Sequence, residues 1–447
     1  MKKVLILTYY WPPGGGAGVQ RWLKFVKYMR DFGWEPVVYT AENGEMPVID
    51  ESLQKDVPVG TVVLKTTIWE PYTIYKRFIG RKKEDKINAS FLNENKQTAG
   101  SNKKLRAALT GASQKLSIWI RGNFFIPDAR KYWIKPSIVY LNTYIKAQKI
   151  DYVVSSGPPH SMHMIALGLK QKNKQLKWVA DFRDPWTNID FYEKLMLSSF
   201  ADAKHQQQEL SVLQNADLVL SIGKTMNNEF VNLYKKAGGK DEDKFKVITN
   251  GFDTDDLSSA AVVKDTKFSL AHIGTLVKDR NPSVLWEVLS TLVAKNADFK
   301  AQLQIKLVGK IDVYVQEQIE AFGLSAYVHK IDYLPHNEVI KEQQRSKVLL
   351  LLVNNTKNAK GILTGKIFEY MASRVPVLAI GPADGDLAAI LGKTKTGLIS
   401  DFNDALTLEQ NILSYFRGIV PFYKQEEIDK YSRKELTKEL CQLLDQL

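Results

Sequence analysis

The 447-residue sequence has one cysteine, Cys441, so no disulfide can close within the chain. That excludes a disulfide-stapled scaffold and fits a reducing compartment. No stretch approaches the roughly 18 apolar residues that a bilayer span requires. Met1-Lys2-Lys3 runs straight into a strand-like run, without the pattern of a signal peptide, so a cytoplasmic protein is expected. The second strand candidate, Val37-Val38-Tyr39-Thr40, ends without the acidic residue of a dinucleotide fingerprint. The glycine-rich turn before it lacks the Lys-Ser/Thr of a P-loop. No repeat of solenoid period is present.

Acidic residues are scarce in one segment. Between Lys76 and Lys149 there are 17 Lys and Arg against Glu84, Asp85, Glu94 and Asp128, which accounts for the whole net charge of +13. The overlapping stretch Trp69 to Lys135 also holds Phe78, Phe91, Trp119, Phe124, Phe125 and Trp133. Cations interleaved with large aromatics suit an anionic membrane surface, or a solvated insertion with a small core of its own. No nucleic-acid motif accompanies the charge, and nucleic acid is not expected as a partner.

The hydrophobic content of 44% is that of a globular protein, and the length calls for more than one domain. The small, polar stretch Thr254 to Lys267 marks a boundary. The expected division is 1–257, 258–420 and a C-terminal segment 421–447. Strand-like and helix-like runs alternate on both sides of the boundary, which gives an α/β chain with parallel sheets. Val4 to Tyr9 is a strand that ends in WPPGGGAGVQR. A helix from about Val19 to Phe32 follows, and the glycines form either a flexible loop or a tight strand-to-helix turn. Asp151 to Ser156 is a strand leading into GPPHSMH, with His160 and His163 at the mouth of a helix. Trp178 to Phe182 is a strand ending in DFRDPW, which places Asp181, Arg183 and Asp184 at or beyond its carboxyl end. Open α/β sheets bind ligands at that edge. His160 therefore either acts on a hydroxyl or phosphate or is a buried or capping histidine, and Asp184 either serves the site or caps a helix. One polar helix is predicted from about Phe191 to Asn215.

In the second half, Phe268 to Ile273 enters Gly274-Thr275-Leu276-Val277-Lys278-Asp279-Arg280. Lys278 and Arg280 there stand at a strand-to-helix junction suited to phosphate oxygens. Val348 to Leu352 leads into NNTKNAKGILTGKIFEYMASRVPVLAIGP, Asn354 to Pro382, read as loop, helix from about Thr364, and strand from Val375 to Ile380. Gly361 and Gly365 would allow close backbone approach to a phosphate, amides at the helix start would meet it, Lys366 would add a cation, and Glu369 would reach sugar hydroxyls. An ordinary loop with a solvated Glu369 fits the same spacing.

These pieces resemble the family 4 glycosyltransferases, a retaining group with the GT-B fold. The resemblance rests on Gly14, Gly15 and Gly16, VITNGFDTD at Val247 to Asp255, IGTLVKDRNP at Ile273 to Pro282, LVGK at Leu307 to Lys310, and TGKIFEYMASRVPVLA at Thr364 to Ala379. It implies two Rossmann-like domains facing a central cleft, with the last helix crossing back to the first domain. It implies a nucleotide-sugar donor, held with Gly15, Gly16, Gly274, Thr275, Lys278, Arg280, Leu363, Thr364, Gly365, Lys366 and Glu369, and no metal or cofactor. Glu369 would bind ribose, and Arg280 would take the diphosphate where the family usually has a lysine. His160, Asp184, Arg280 and Lys366 are the implied catalytic set. Two positions depart from the family pattern: Gly361 stands where a first glutamate helps hold the donor sugar, and Thr275 where an arginine reaches the diphosphate. A lysine three residues before the second glutamate occurs among surface-polysaccharide transferases. The expected acceptor is a sugar or lipid-linked hydroxyl. A sugar-nucleotide 2-epimerase and a non-catalytic nucleotide-sugar binder are the alternatives.

Overall fold

A computed structural model describes residues 1–46, 48–70, 115–256 and 262–447. Most of the basic excess, and Phe78 and Phe91 with it, lies outside the described residues. The chain divides into two compact units. The first comprises Met1–Ile222, Met226–Ile248 and Thr437–Leu447, and the second Gly223–Thr225 and Thr249–Leu436.

Among the described residues the first unit has a seven-stranded sheet in the order β3-β2-β1-β4-β5-β6-β7. Its strands are β1 (Lys2–Leu7), β2 (Trp34–Ala41), β3 (Val62–Thr66), β4 (Tyr152–Gly157), β5 (Lys177–Phe182), β6 (Leu218–Ser221) and β7 (Phe245–Val247). Every pairing is parallel. Helices cover both faces of such a sheet, so a central strand can be apolar at every position, and Val4 to Leu7 are completely buried. The order reverses between β1 and β4, which places the loops after these two strands at the topological switch point.

The second unit has a six-stranded sheet in the order β10-β9-β8-β11-β12-β13. These are β8 (Phe268–Ile273), β9 (Leu303–Val308), β10 (Val328–Ile331), β11 (Val348–Leu352), β12 (Val377–Ile380) and β13 (Gly397–Ser400), again all parallel. Alternate residues of β8 enter the two cores on its faces, Phe268 and Leu270 on one side, Ala271 and Ile273 on the other. The switch point falls between β8 and β11.

Several elements differ from the sequence-based expectation. β3 and β13 were not anticipated; they are short edge strands with mostly half-buried or exposed residues. The first helix runs Ala17–Met29 and tightens into a 3₁₀ turn over Arg30–Phe32. The single helix predicted from Phe191 is two elements, a 3₁₀ turn Tyr192–Leu195 and a helix Ser199–Asn215. Met196 adopts a left-handed φ of 55° between them, and Ser198 caps the second by accepting from the Ala201 amide. The helix expected from Thr364 begins at Lys366 and ends at Ala372, only seven residues. Trp133, grouped above with interfacial aromatics, is buried and stacked on Tyr39 at 5.0 Å.

Candidate active site

In the second unit, the residues singled out around β8 and β11 converge. Gly274 ends β8 with φ +120°, a conformation that only glycine adopts without strain. A Cβ there would lie 2.6 Å from Lys366 Nζ, so the ammonium rests against bare backbone. The loop is anchored to β9: Gly274 N–H donates to Val308 O at 2.8 Å, and Leu276 N–H to Lys310 O at 2.9 Å. Gly309, at φ +103°, lets this strand end come close, since its own Cβ would meet the Gly274 carbonyl at 3.4 Å.

Arg280 closes a 3₁₀ turn, Lys278–Arg280, and its Nε donates to Asn354 Oδ1 at 2.8 Å. The loop after β8 is thereby tied to the loop after β11, across the switch point. Lys366 has a pKa lowered to about 8, mainly by burial and next by the Arg280 cation, with Glu369 opposing. His272, in β8 beneath this group, is buried; desolvation first and Lys366 second bring its pKa to about 3, so it is neutral. Two like charges are thus held near each other in partly buried surroundings.

The other implied donor residues are more dispersed. Glu369 is exposed one turn beyond Lys366, with the buried Gln343 amide 3.5 Å from its Oε2. Thr275 and Gly365 are exposed and Leu363 is buried. The hydroxyl of Thr364 is buried without a hydrogen-bond partner among the described residues. Lys278 lies with its Nζ 4.7 Å above the Tyr314 ring. Gly365 has an ordinary helical φ of −58° and open space where a Cβ would stand, so the protein's own packing does not require glycine there. With only two helical turns behind it, the start at Lys366 offers a weaker dipole than the longer helix would have.

In the first unit, the Gly-rich turn is anchored, which agrees with the tight strand-to-helix turn of the two readings above. Gly14 N–H donates to Trp11 O and Gly15 N–H to Val48 O, each at 2.9 Å, and Asp50 N–H donates to Pro13 O at 2.8 Å. Cβ atoms on Gly14 and Gly15 would strike Met46 and Asp50 at 2.8 Å. Gly16 is exposed at φ +87° and starts the first helix. Arg183 links this turn to the loop after β4, donating to Gly18 O at 3.0 Å and to Pro158 O.

His160 follows that loop, 8% exposed, and lies flat on Trp186 with ring centroids 4.3 Å apart and planes 3° apart. Burial and the neighbouring His163 hold its pKa well below the ordinary value, so the ring is neutral. His163 is wholly buried, with Nδ1 2.8 Å from Ser155 Oγ, and belongs to the core. Asp184 is exposed beside Arg183.

Asp181 is turned into the interior of the first unit. It is fully buried and takes Arg21 Nη2 at 2.8 Å, Trp22 Nε1 at 2.8 Å and Ser156 Oγ at 3.0 Å. Strand alternation explains this: Ala180 and Phe182 face one core, so Asp181 points through the opposite face to the first helix. Arg21 keeps its pKa low despite burial.

The described residues contain no group of three or more His, Cys, Asp and Glu that could hold a metal ion. No helix among them is long and apolar enough to cross a membrane.

Two parallel-sheet Rossmann-like units, with glycine turns and cations at strand carboxyl ends, define the GT-B class of architecture. Residues 253–435 match the family model of glycosyl transferases group 1. No curated protein sequence matches the chain. Among solved structures, the chain is similar to sucrose-phosphate synthase from Thermosynechococcus elongatus (13% identity, 100% of this chain and 99% of that one, TM-score 0.59). It is also similar to HepE from Anabaena in complex with UDP-glucose (13% identity, 100% of both chains, TM-score 0.56). A third is a TarM variant from S. aureus in complex with UDP, fondaparinux and α-GlcNAc-glycerol (14% identity, 100% of both chains, TM-score 0.56). At these identities the likeness is one of fold.

Proposed function

We propose that the chain is a retaining glycosyltransferase of family 4 that moves a sugar from a nucleoside-diphosphate donor to an acceptor hydroxyl in the assembly of a surface polysaccharide or glycolipid. The observation that carries this reading is the Lys366–Arg280 pair at the β8/β11 switch point. Lys366 Nζ lies against the Gly274 backbone just after β8 and Arg280 is tied to Asn354 after β11, so both cations stand at one switch point, where a bound diphosphate would offset their mutual repulsion. As the sugar departs, charge develops on the same diphosphate oxygens. Fixed cations at that position stabilise the transition state more than the ground state. Glu369 is assigned to the ribose hydroxyls and the neutral His160 to a hydrogen bond with the reacting sugar. Metal is not required, because lysine and arginine supply the positive charge. UDP or GDP is the expected leaving group, in keeping with the UDP-containing structures that share the fold. The basic segment Lys76 to Lys149 is assigned to the anionic inner face of the cytoplasmic membrane, next to a lipid-linked acceptor.

Calorimetry with UDP and GDP tests the donor assignment. One should bind, and Arg280→Ala and Lys366→Ala should each abolish most of that binding while the fold survives. Unaltered affinity in both variants would remove the donor site from this place. Incubating the sugar nucleotide alone separates transfer from epimerisation, since a 2-epimerase alters its donor without an acceptor.

A further inference from the structure

The helix Ser199–Asn215 is polar along most of its length, yet His205 and Glu209 on it are buried. Residues four apart share a helix face, and both heads end on the same short piece of the loop after β5. Trp186 donates its indole Nε1–H to His205 Nδ1 at 3.0 Å. The amides of Trp186 and Thr187 each reach Glu209 Oε1 at 3.3 Å, and the Thr187 hydroxyl donates to Oε2. The indole is therefore pinned at its ring nitrogen and at its own backbone, which removes both sliding and tilting.

His160 is the residue this pinned ring covers. Gly157 leaves room for the ring edge, since a Cβ there would stand 3.0 Å from His160 Nδ1 and 2.5 Å from His163 Nε2. Trp186 sets the face of the imidazole, and the missing side chain of Gly157 makes room for its edge. His205 can accept from the indole only with Nδ1 unprotonated.

We propose that His205 and Glu209 are positioning residues for His160: by fixing the plane of Trp186 they fix the imidazole that meets the reacting sugar. This rests on the glycosyl-transfer reading above. A small rotation of a catalytic group is costly, about 10²-fold for a misplacement near 1 Å, so the effect falls on kcat and leaves donor binding in the second unit unchanged.

The test uses the whole chain, whose six histidines make their ring signals countable by NMR after histidine labelling. The His160 ring protons, identified by their loss in His160→Asn, should be shifted upfield by the indole above them. In His205→Leu that shift should collapse and kcat should fall at least about tenfold, with the donor KM within about twofold. His205→Gln, which keeps an acceptor for the indole N–H, should restore both. If His205→Leu does not fold, Trp186→Phe, which keeps a ring but lacks the N–H, should show the same signal change and kcat loss. An unmoved His160 signal with unchanged kcat in a folded variant overturns the proposal. A wild-type chain that transfers no sugar removes both the glycosyl-transfer reading and the catalytic part of this one. The ring signal then still reports whether His205 sets the geometry.

Discussion

The Lys366 ammonium lies where a side chain on Gly274 would begin, 2.6 Å from the position of its absent Cβ. Gly274→Ala should therefore act twice. It would place a side chain at φ +120°, a strain of about 1–3 kcal/mol, and it would push the lysine from its seat. The expected result is a folded protein of lower Tm whose affinity for UDP or GDP falls at least about tenfold, the equivalent of 1.4 kcal/mol. Thermal denaturation and calorimetry on one sample check both halves; a variant with wild-type affinity would contradict the placement.

Lys366 makes opposite contributions to binding and stability as pH changes. Its folded pKa lies near 8, below the ordinary 10.5, so the charged form is disfavoured in the native state. As pH rises through 8 toward 10, this group's destabilising contribution is progressively relieved. Over the same interval the cation is lost, and diphosphate affinity should drop. Lys366→Met should remove this part of both pH dependences, raising Tm at pH 7 while weakening nucleotide binding. Diphosphate affinity that stays flat between pH 7 and 9 in the wild type would exclude a role for this ammonium.

For Arg280, the expectation is kinetic. Arg280→Ala should reduce kcat on the order of 10²-fold, as removal of one fixed donor to a developing oxyanion does. Arg280→Lys should recover only part, because it keeps the charge but loses the forked geometry and the Nε bond to Asn354. Steady-state rates with a cognate donor decide this, and near-normal turnover in the alanine variant would count against the assignment.

Asp181 should behave as a structural residue. Asp181→Ala leaves Arg21 charged and buried, at a cost of about 3–5 kcal/mol. Urea denaturation should show that loss, whereas any enzyme that still folds should retain its donor KM. A stable Asp181→Ala protein lacking activity would instead return the residue to the chemistry.

The membrane assignment is tested by flotation with anionic and neutral vesicles at low and high salt. Binding should need anionic lipid and weaken with salt. Salt-insensitive or absent binding would leave the basic segment as a solvated insertion.

The sheet centres were legible in the sequence because parallel strands buried on both faces read as continuous apolar runs, as in Val348–Leu352. The edge strands β3 and β13 carry no such run. Met196 and Ser198 break a polar stretch that looks continuous; Ser198 followed by a first-turn acid, Asp202, was the available signal. The cation site was partly legible, since Gly274, Arg280 and Lys366 stand at predicted junctions. Asn354, which holds Arg280, was not, because its partner is 74 positions away. His205 and Glu209 lay hidden on a polar helix whose periodicity gives no sign that two of its polar heads are buried. Asp181 stands at the strand end as expected, but its direction was not legible: a strand position shows the edge a residue is near, and its face depends on what the neighbouring helix offers.

The position of β1 has a consequence for synthesis. This strand pairs on one side with β2 and on the other with β4, whose partners begin only at Tyr152. While the chain is being made, Val4 to Leu7 therefore keep a bare, sticky flank through the translation of more than a hundred codons. A nascent fragment halted before β4 should precipitate or recruit chaperones, and one released after β5 should do so much less.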